Sequence, residues 1–167
     1  MKINFGCGTR LRKGYLNLDK EQCDLEKLPL DFTDNSKEEI RLIQVMEHLH
    51  IKPSLLMQEL LRILKPDGLI YISVPHFSWH NAYDEDHERF FNYLSFSDFH
   101  KSNLEKSIYK NTQRRVTVKF MKWPFFYNHL IEPIVNLHPK ITIIWESTFL
   151  CSLFPANHLI FELRKKV

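Results

Sequence analysis

Hydrophobic positions fall in short runs near the start of this chain and in longer ones after residue 40. Ile3 and Phe5 flank one polar residue, so residues 2–5 predict a buried strand, and residues 15–18 predict a second. Only about ten residues separate them, whereas a parallel crossover takes a dozen or more and usually a helix. The first connection is therefore expected to be reduced to a turn. Asp24-Leu25 and the following LPLDF predict a short third strand that Pro29 ends. The polar stretch TDNSKEE reads as a turn, and residues 40–43 predict a fourth strand. In KPSLLMQELLRILKPDG, Leu56, Leu60 and Leu64 share a helical face. Pro53 suits the first turn of that helix and Pro66-Asp67-Gly68 stops it. LIYISVP predicts a fifth strand.

Residues 76–95 lack a clean period and predict a long loop, a feature that tends to carry function. SFSDFHKSNLEKSIY predicts a helix, while RRVTVKFMKW and NHLIFELRKK alternate like strands. The segment between those two is apolar and broken by four prolines. The order implies an α/β sheet, parallel in its main part, with an antiparallel pair at one edge.

At 167 residues the chain suits one domain. A net charge of +3 is too weak to argue for nucleic acid, and the cluster Arg164-Lys165-Lys166 reads as a solvated tail. Three cysteines without metal-like spacing fit a reducing compartment. The longest apolar run, residues 141–154, falls short of the ~20 residues of a membrane span. A cytoplasmic protein with no membrane span and no nucleic-acid partner is the expectation.

Glycine is scarce, with four in all, yet Gly6 and Gly8 stand together directly after the first strand. In open parallel sheets ligands bind beyond the carboxyl ends of the strands. A glycine there permits positive φ and lets a ligand approach the backbone. Asp19 ends the second strand, where a carboxylate can accept hydrogen bonds from ribose hydroxyls. Asp24 and Leu25 lie where an adenine ring can rest, and QVMEHL follows the fourth strand. A dinucleotide site wants G-x-G-x-x-G, but Leu11 occupies the third position, and no phosphate-binding G-x-x-x-x-G-K-[ST] occurs. This weakens a nicotinamide-dependent oxidoreductase and suits a nucleoside without phosphates, such as S-adenosylmethionine.

INFGCGTRLRKGYLNLD, CDLEKLPL, VMEHLH, LLRILKPDGLIYISVPH, DEDHERFFNYLSF and FPANHLIFELR together resemble class I S-adenosylmethionine-dependent methyltransferases, in a small branch like methyltransferase type 11. The resemblance implies a Rossmann-like, seven-stranded, mostly parallel sheet in a single domain over residues 1–167, with few helices between the early strands. It implies that Phe5, Gly6, Cys7 and Gly8 line the methionine part and ribose of S-adenosylmethionine, and that Asp19 holds the ribose. Asp24 and Leu25 would contact adenine, Ile43 and Gln44 would floor the cofactor, and His48 matches the histidine of EHL. Arg10 stands at the third position of the longer glycine pattern, and Asp67 replaces the first glycine of KPGG.

Methyl transfer needs alignment and exclusion of water more than a catalytic constellation. If the acceptor carries a proton, a base is needed. His87, then His76 and His48, are the candidates, because histidine titrates near neutrality. His80 and Arg89 are candidates for binding substrate. His76, His80, Asp84, Asp86 and His87 offer mixed nitrogen and oxygen ligands, but Pro75 and the loop composition speak against helical spacing, and no metal is assigned. Gln44-Val45-Met46-Glu47 stands where DNA amino-methyltransferases carry an Asn/Asp-Pro-Pro-aromatic tetrad.

The expected function is methyl transfer to oxygen or nitrogen of a small molecule or glycan precursor, with residues 76–110 and 121–156 covering the acceptor. The apolar segment also raises a homodimer. The rival is a non-catalytic module that keeps the cofactor fold for binding or interaction.

Overall fold

The computed structural model describes residues 1–97, 112–121 and 126–166. Its strands are β1 (Lys2–Phe5), β2 (Leu16–Leu18), β3 (Lys37–Ile43), β4 (Leu64–Pro75), β5 (Thr112–Lys119) and β6 (His158–Lys165). They form one sheet in the order β2-β1-β3-β4-β6-β5. The first four run parallel, and β6 is antiparallel to both β4 and β5. This is the Rossmann-like α/β arrangement the sequence implies, with six strands among the described residues instead of seven.

The missing strand is the one expected at Asp24-Leu25. There the chain makes turns: Asp24 Oδ1 accepts from the Glu26 amide at 3.1 Å, and the Lys27 amide donates to the Asp24 carbonyl. An Asp that bonds its own turn competes with a sheet ladder. Leu25 is nonetheless buried.

The first connection has no helix, as the spacing requires. Two asparagines organise it instead. Asn4 in β1 is buried and donates to Asn17 Oδ1 of β2 at 2.9 Å and to the Arg10 carbonyl at 3.3 Å. Asn17 in turn accepts from the Arg12 amide and donates to the Arg12 and Tyr15 carbonyls. The loop's polar backbone is thus satisfied without regular structure.

Helix α1 (Pro53–Ile63) begins at Pro53 and buries Leu56, Met57, Leu60 and Ile63. Burying four such side chains contributes several kcal/mol of transfer free energy. They join Ile40 and Leu42 of β3, Ile70, Ile72 and Val74 of β4, and Leu159, Phe161 and Leu163 of β6 in the core. Arg62 fastens the 30–34 segment to α1 through the Leu30 and Phe32 carbonyls and the Glu59 and Asp34 carboxylates. Lys65 and Gly68 are already within β4, and Asp67 takes φ +59°, the left-handed conformation that glycine would adopt without strain.

The proline-broken segment forms a π-helical turn (Tyr127–Ile131) and three short helices, α2 (Glu132–Asn136), α3 (Pro139–Glu146) and α4 (Leu150–Leu153). Pro139 enters at a helix start, where its missing N–H is harmless. The helix expected from SFSDFHKSNLEKSIY lies mainly outside the described residues. Arg164 and Lys165 are not a solvated tail, because both belong to β6. Lys165 Nζ donates to the Leu61 and Leu64 carbonyls at the end of α1, a favourable position for a cation.

Candidate functional site

Strand β1 ends in a turn where Gly6 and Gly8 take φ +59° and +47°. The two glycines are bare for different reasons. A Cβ on Gly6 would collide with the Val45 side chain, whereas a Cβ on Gly8 would meet open space. Gly8 donates its amide hydrogen to Asp19 Oδ2 at 3.1 Å, and Lys20 donates to Asp19 Oδ1 at 2.9 Å. The Asp19 carboxylate at the end of β2 is therefore held over the glycine turn.

Two hollows meet at this point. One, of about 160 Å³, is lined by Gly6, Asp19, Asp24, Leu25, Val45 and His48, among others. A wider one, of about 930 Å³, is lined by Cys7, Gly8, Leu11, Asn17 and Lys27, and shares Asp19, Lys20 and Asp24 with the first. Asp24's carboxyl is held below its ordinary range by the Glu26 amide and by Lys27, which keeps it ionised. The Cys23 thiol on the floor is pushed up by burial and by Asp24.

Of the residues expected to bind cofactor, Gly6, Cys7, Gly8, Asp19, Asp24, Leu25 and His48 come together on this cleft. Phe5 is buried beneath it with its ring against Phe32. Ile43 pairs with Ser73 at the end of β3. Gln44 follows at φ +56° and donates its amide to the Ser73 carbonyl at 2.8 Å, so the chain bends sharply as it leaves the sheet. That bend directs Val45 onto Gly6. Sequence reasoning missed Val45 and Leu49 as lining residues; their places in QVMEHL, after a strand end, were the available signal.

The candidate bases separate. His48 and His87 lie ring to ring, centroids 4.6 Å apart and nearly perpendicular, with His48 on the cleft. His76 is fully buried elsewhere. Its Nδ1 accepts from the Ser78 amide at 3.1 Å, so its Nε2 carries the hydrogen donated to Glu146 Oε1 at 3.0 Å. Glu146 Oε1 also accepts from the Tyr93 amide. His76 thus ties β4 to α3 and does not reach the cleft. His80 is exposed beside Trp79. Arg89 is half-buried and donates to the Ile51 carbonyl at 2.8 Å.

Glu47, between Met46 and His48, is 1% exposed, and neither carboxylate oxygen has a hydrogen-bond partner. Burial is the largest influence and pushes its pKa up to about 7, against the lowering effect of the Glu47 and Val45 amides.

Comparison with known proteins adds a likeness in sequence and one in fold. Residues 5–72, the span from the glycine turn to β4, match the methyltransferase domain family. No curated protein matches the chain. A SAM-dependent methyltransferase from Archaeoglobus fulgidus shares 12% identity over 98% of this chain and 85% of that one, at a TM-score of 0.55. A S-adenosylmethionine-dependent methyltransferase from Mesorhizobium loti shares 11% over 98% and 90%, also at 0.55. The [4+2]-cyclase SpnF shares 15% over 99% and 74%, again at 0.55. Likeness at these identities establishes the fold, which this chain shares both with methyltransferases and with a protein named for a cyclisation. Among the described residues no helix is long and apolar enough to cross a membrane.

Proposed function

We propose that this chain is a methyltransferase that moves a methyl group from S-adenosylmethionine to an oxygen or nitrogen of a small molecule or glycan precursor. The observation that carries this reading is the convergence of the positive-φ turn at Gly6 and Gly8 with the Asp19 carboxylate on one cleft. Two amide hydrogens use only part of the carboxylate's roughly four acceptor sites, which leaves capacity for a pair of ribose hydroxyls. Gly6, Cys7 and Gly8 would hold the methionine part, and Asp24 and Leu25 the adenine, with Phe5, Ile43 and Gln44 supporting the floor. The cofactor supplies a methyl carbon already activated by its sulfonium, so the protein's tasks are alignment and exclusion of water.

His48, which lines the cleft, and His87, whose ring lies against it, are the proposed acceptors of the substrate's proton. His80 and Arg89 stand on the same loop as His87 and are proposed to contact the acceptor. Residues 1–167 act as one domain, with 76–110 and 121–156 covering the acceptor. Three free cysteines suit the cytoplasm. Exposed Leu130, Ile134 and Ile144 support a homodimer, which light scattering tests.

Calorimetry with S-adenosylmethionine tests the reading. Wild type is expected to bind, and Asp19→Asn, which keeps one oxygen for the Gly8 amide, to bind about 10- to 100-fold more weakly through the lost charged hydrogen bonds. Absence of binding by wild type, or equal affinity in the variant, refutes it. One observation favours the second reading, a cofactor-binding or interaction module without catalysis: residues 6–15 form no helix beside the cleft. Binding without methyl loss to any acceptor pool would select that module.

A further inference from the structure

The segment after β3 and the loop after β4 bring three ligand-bearing side chains together. Glu47, His48 and His87 each offer one atom within 4.8 Å of the others'. Three features distinguish them from an ordinary surface cluster. The Glu47 carboxylate is buried with both oxygens unpartnered, a costly state for an anion unless a cation meets it. His48 Nδ1 lies 3.2 Å from the Asp86 carbonyl and His87 Nδ1 lies 3.3 Å from the Ala82 carbonyl. A carbonyl only accepts, so in both rings Nδ1 carries the hydrogen and Nε2 keeps a free lone pair. Fixing a histidine's tautomer through its other nitrogen is how metal-ligating imidazoles are oriented. Finally, the Glu88 amide donates to the Glu47 carbonyl at 2.8 Å and locks the two segments together.

We propose that Glu47, His48 and His87 form a divalent-metal site at the edge of the cleft. Two imidazole nitrogens and one carboxylate suit zinc or manganese, whereas magnesium and calcium prefer oxygen alone. Bond lengths of about 2.1 Å would bring the ligand atoms to about 3.4 Å from one another, closer than the 4.8 Å within which they now lie, and His48 is the exposed member of the three. His48 lines the cleft, so a cation held by it would border that cleft. A bound cation would hold an acceptor hydroxyl or amine there and acidify it, so with the cation present the two histidines would serve as its ligands, and their role as bases would belong to the metal-free protein. That role rests on the methyl-transfer reading; the site itself does not.

The test uses the full chain purified without a histidine tag and stripped with chelator. Zinc, manganese and magnesium are titrated separately by calorimetry, without nucleoside. One equivalent of zinc or manganese is expected to bind, and magnesium is not. His87→Ala and Glu47→Gln should each weaken zinc by about tenfold or more. His48→Ala should do the same, and since His48 is exposed, its loss leaves the core intact by circular dichroism. His138→Ala, an exposed histidine outside the cluster and the cleft, should bind zinc as wild type. No saturable zinc or manganese binding, or unchanged affinity in His48→Ala, overturns the site. Because S-adenosylmethionine binding is measured separately, metal binding without nucleoside binding upholds this site while sinking the methyl-transfer reading, and the reverse result does the opposite.

Discussion

Replacing Gly6 and Gly8 one at a time by alanine separates the packing role of the glycine turn from its proposed ligand role. Both sit at positive φ, where a Cβ costs about 1–2 kcal/mol. At Gly8 that is nearly the whole effect, because the new methyl meets nothing within 4 Å. Gly8→Ala should therefore lose about 1 kcal/mol of stability. At Gly6 the methyl also strikes Val45, which is buried beneath the turn. Overpacking of this kind adds about 1–3 kcal/mol, so Gly6→Ala should lose about 2–5 kcal/mol. Urea denaturation measures both. S-adenosylmethionine calorimetry need not follow stability. Gly8→Ala, the better folded variant, should still lose most of its affinity, because its methyl would occupy the open space proposed for the cofactor. If Gly8→Ala binds as tightly as wild type, the open space beside Gly8 is not a ligand's, and the argument for the site fails. If the two variants are equally stable, the assigned collision with Val45 is wrong.

Glu47 should make stability depend on pH. Its folded pKa, about 7, lies above the ordinary carboxylate value of 4.5, so the folded state holds the proton more tightly than the unfolded one. Stability from this group is complete below pH 4.5 and is lost as pH rises to about 7, by about 3 kcal/mol in all. In chelator-containing buffer the stability of Glu47→Gln relative to wild type should rise across that window, which urea midpoints at several pH values will show; parallel curves would contradict it. His76→Ala should cost about 2–4 kcal/mol, through the cavity and the Glu146 bond it removes, with nucleoside affinity unchanged. A loss of affinity at undiminished stability would instead return His76 to the site.

How much of this was legible in the sequence follows the range of the interactions involved. Alternation in Ile3-Asn4-Phe5, the apolar face of α1 with Pro53 at its start, and the short spacing between β1 and β2 are local features, and they sufficed for the parallel sheet, the helix and the missing first crossover. Gly6, Gly8 and Asp19 were also legible, because backbone freedom and a strand-end carboxylate leave marks at their own positions. The third strand failed because an edge pairing needs a partner as well as two suitable residues, and Asp24 found its hydrogen bond within its own turn. Among the histidines the sequence supplied candidates with no ranking. His76 was removed from the site by Glu146, 70 residues further on. His87 was brought to His48 by the return of a loop from β4. Glu47 shows the difference most plainly: as a letter in VMEHLH it is a charged residue expected in water, and only the packing of β3's exit against the loop from β4 encloses its carboxylate. Local chemistry is written residue by residue, but burial is a property of everything that folds around a residue.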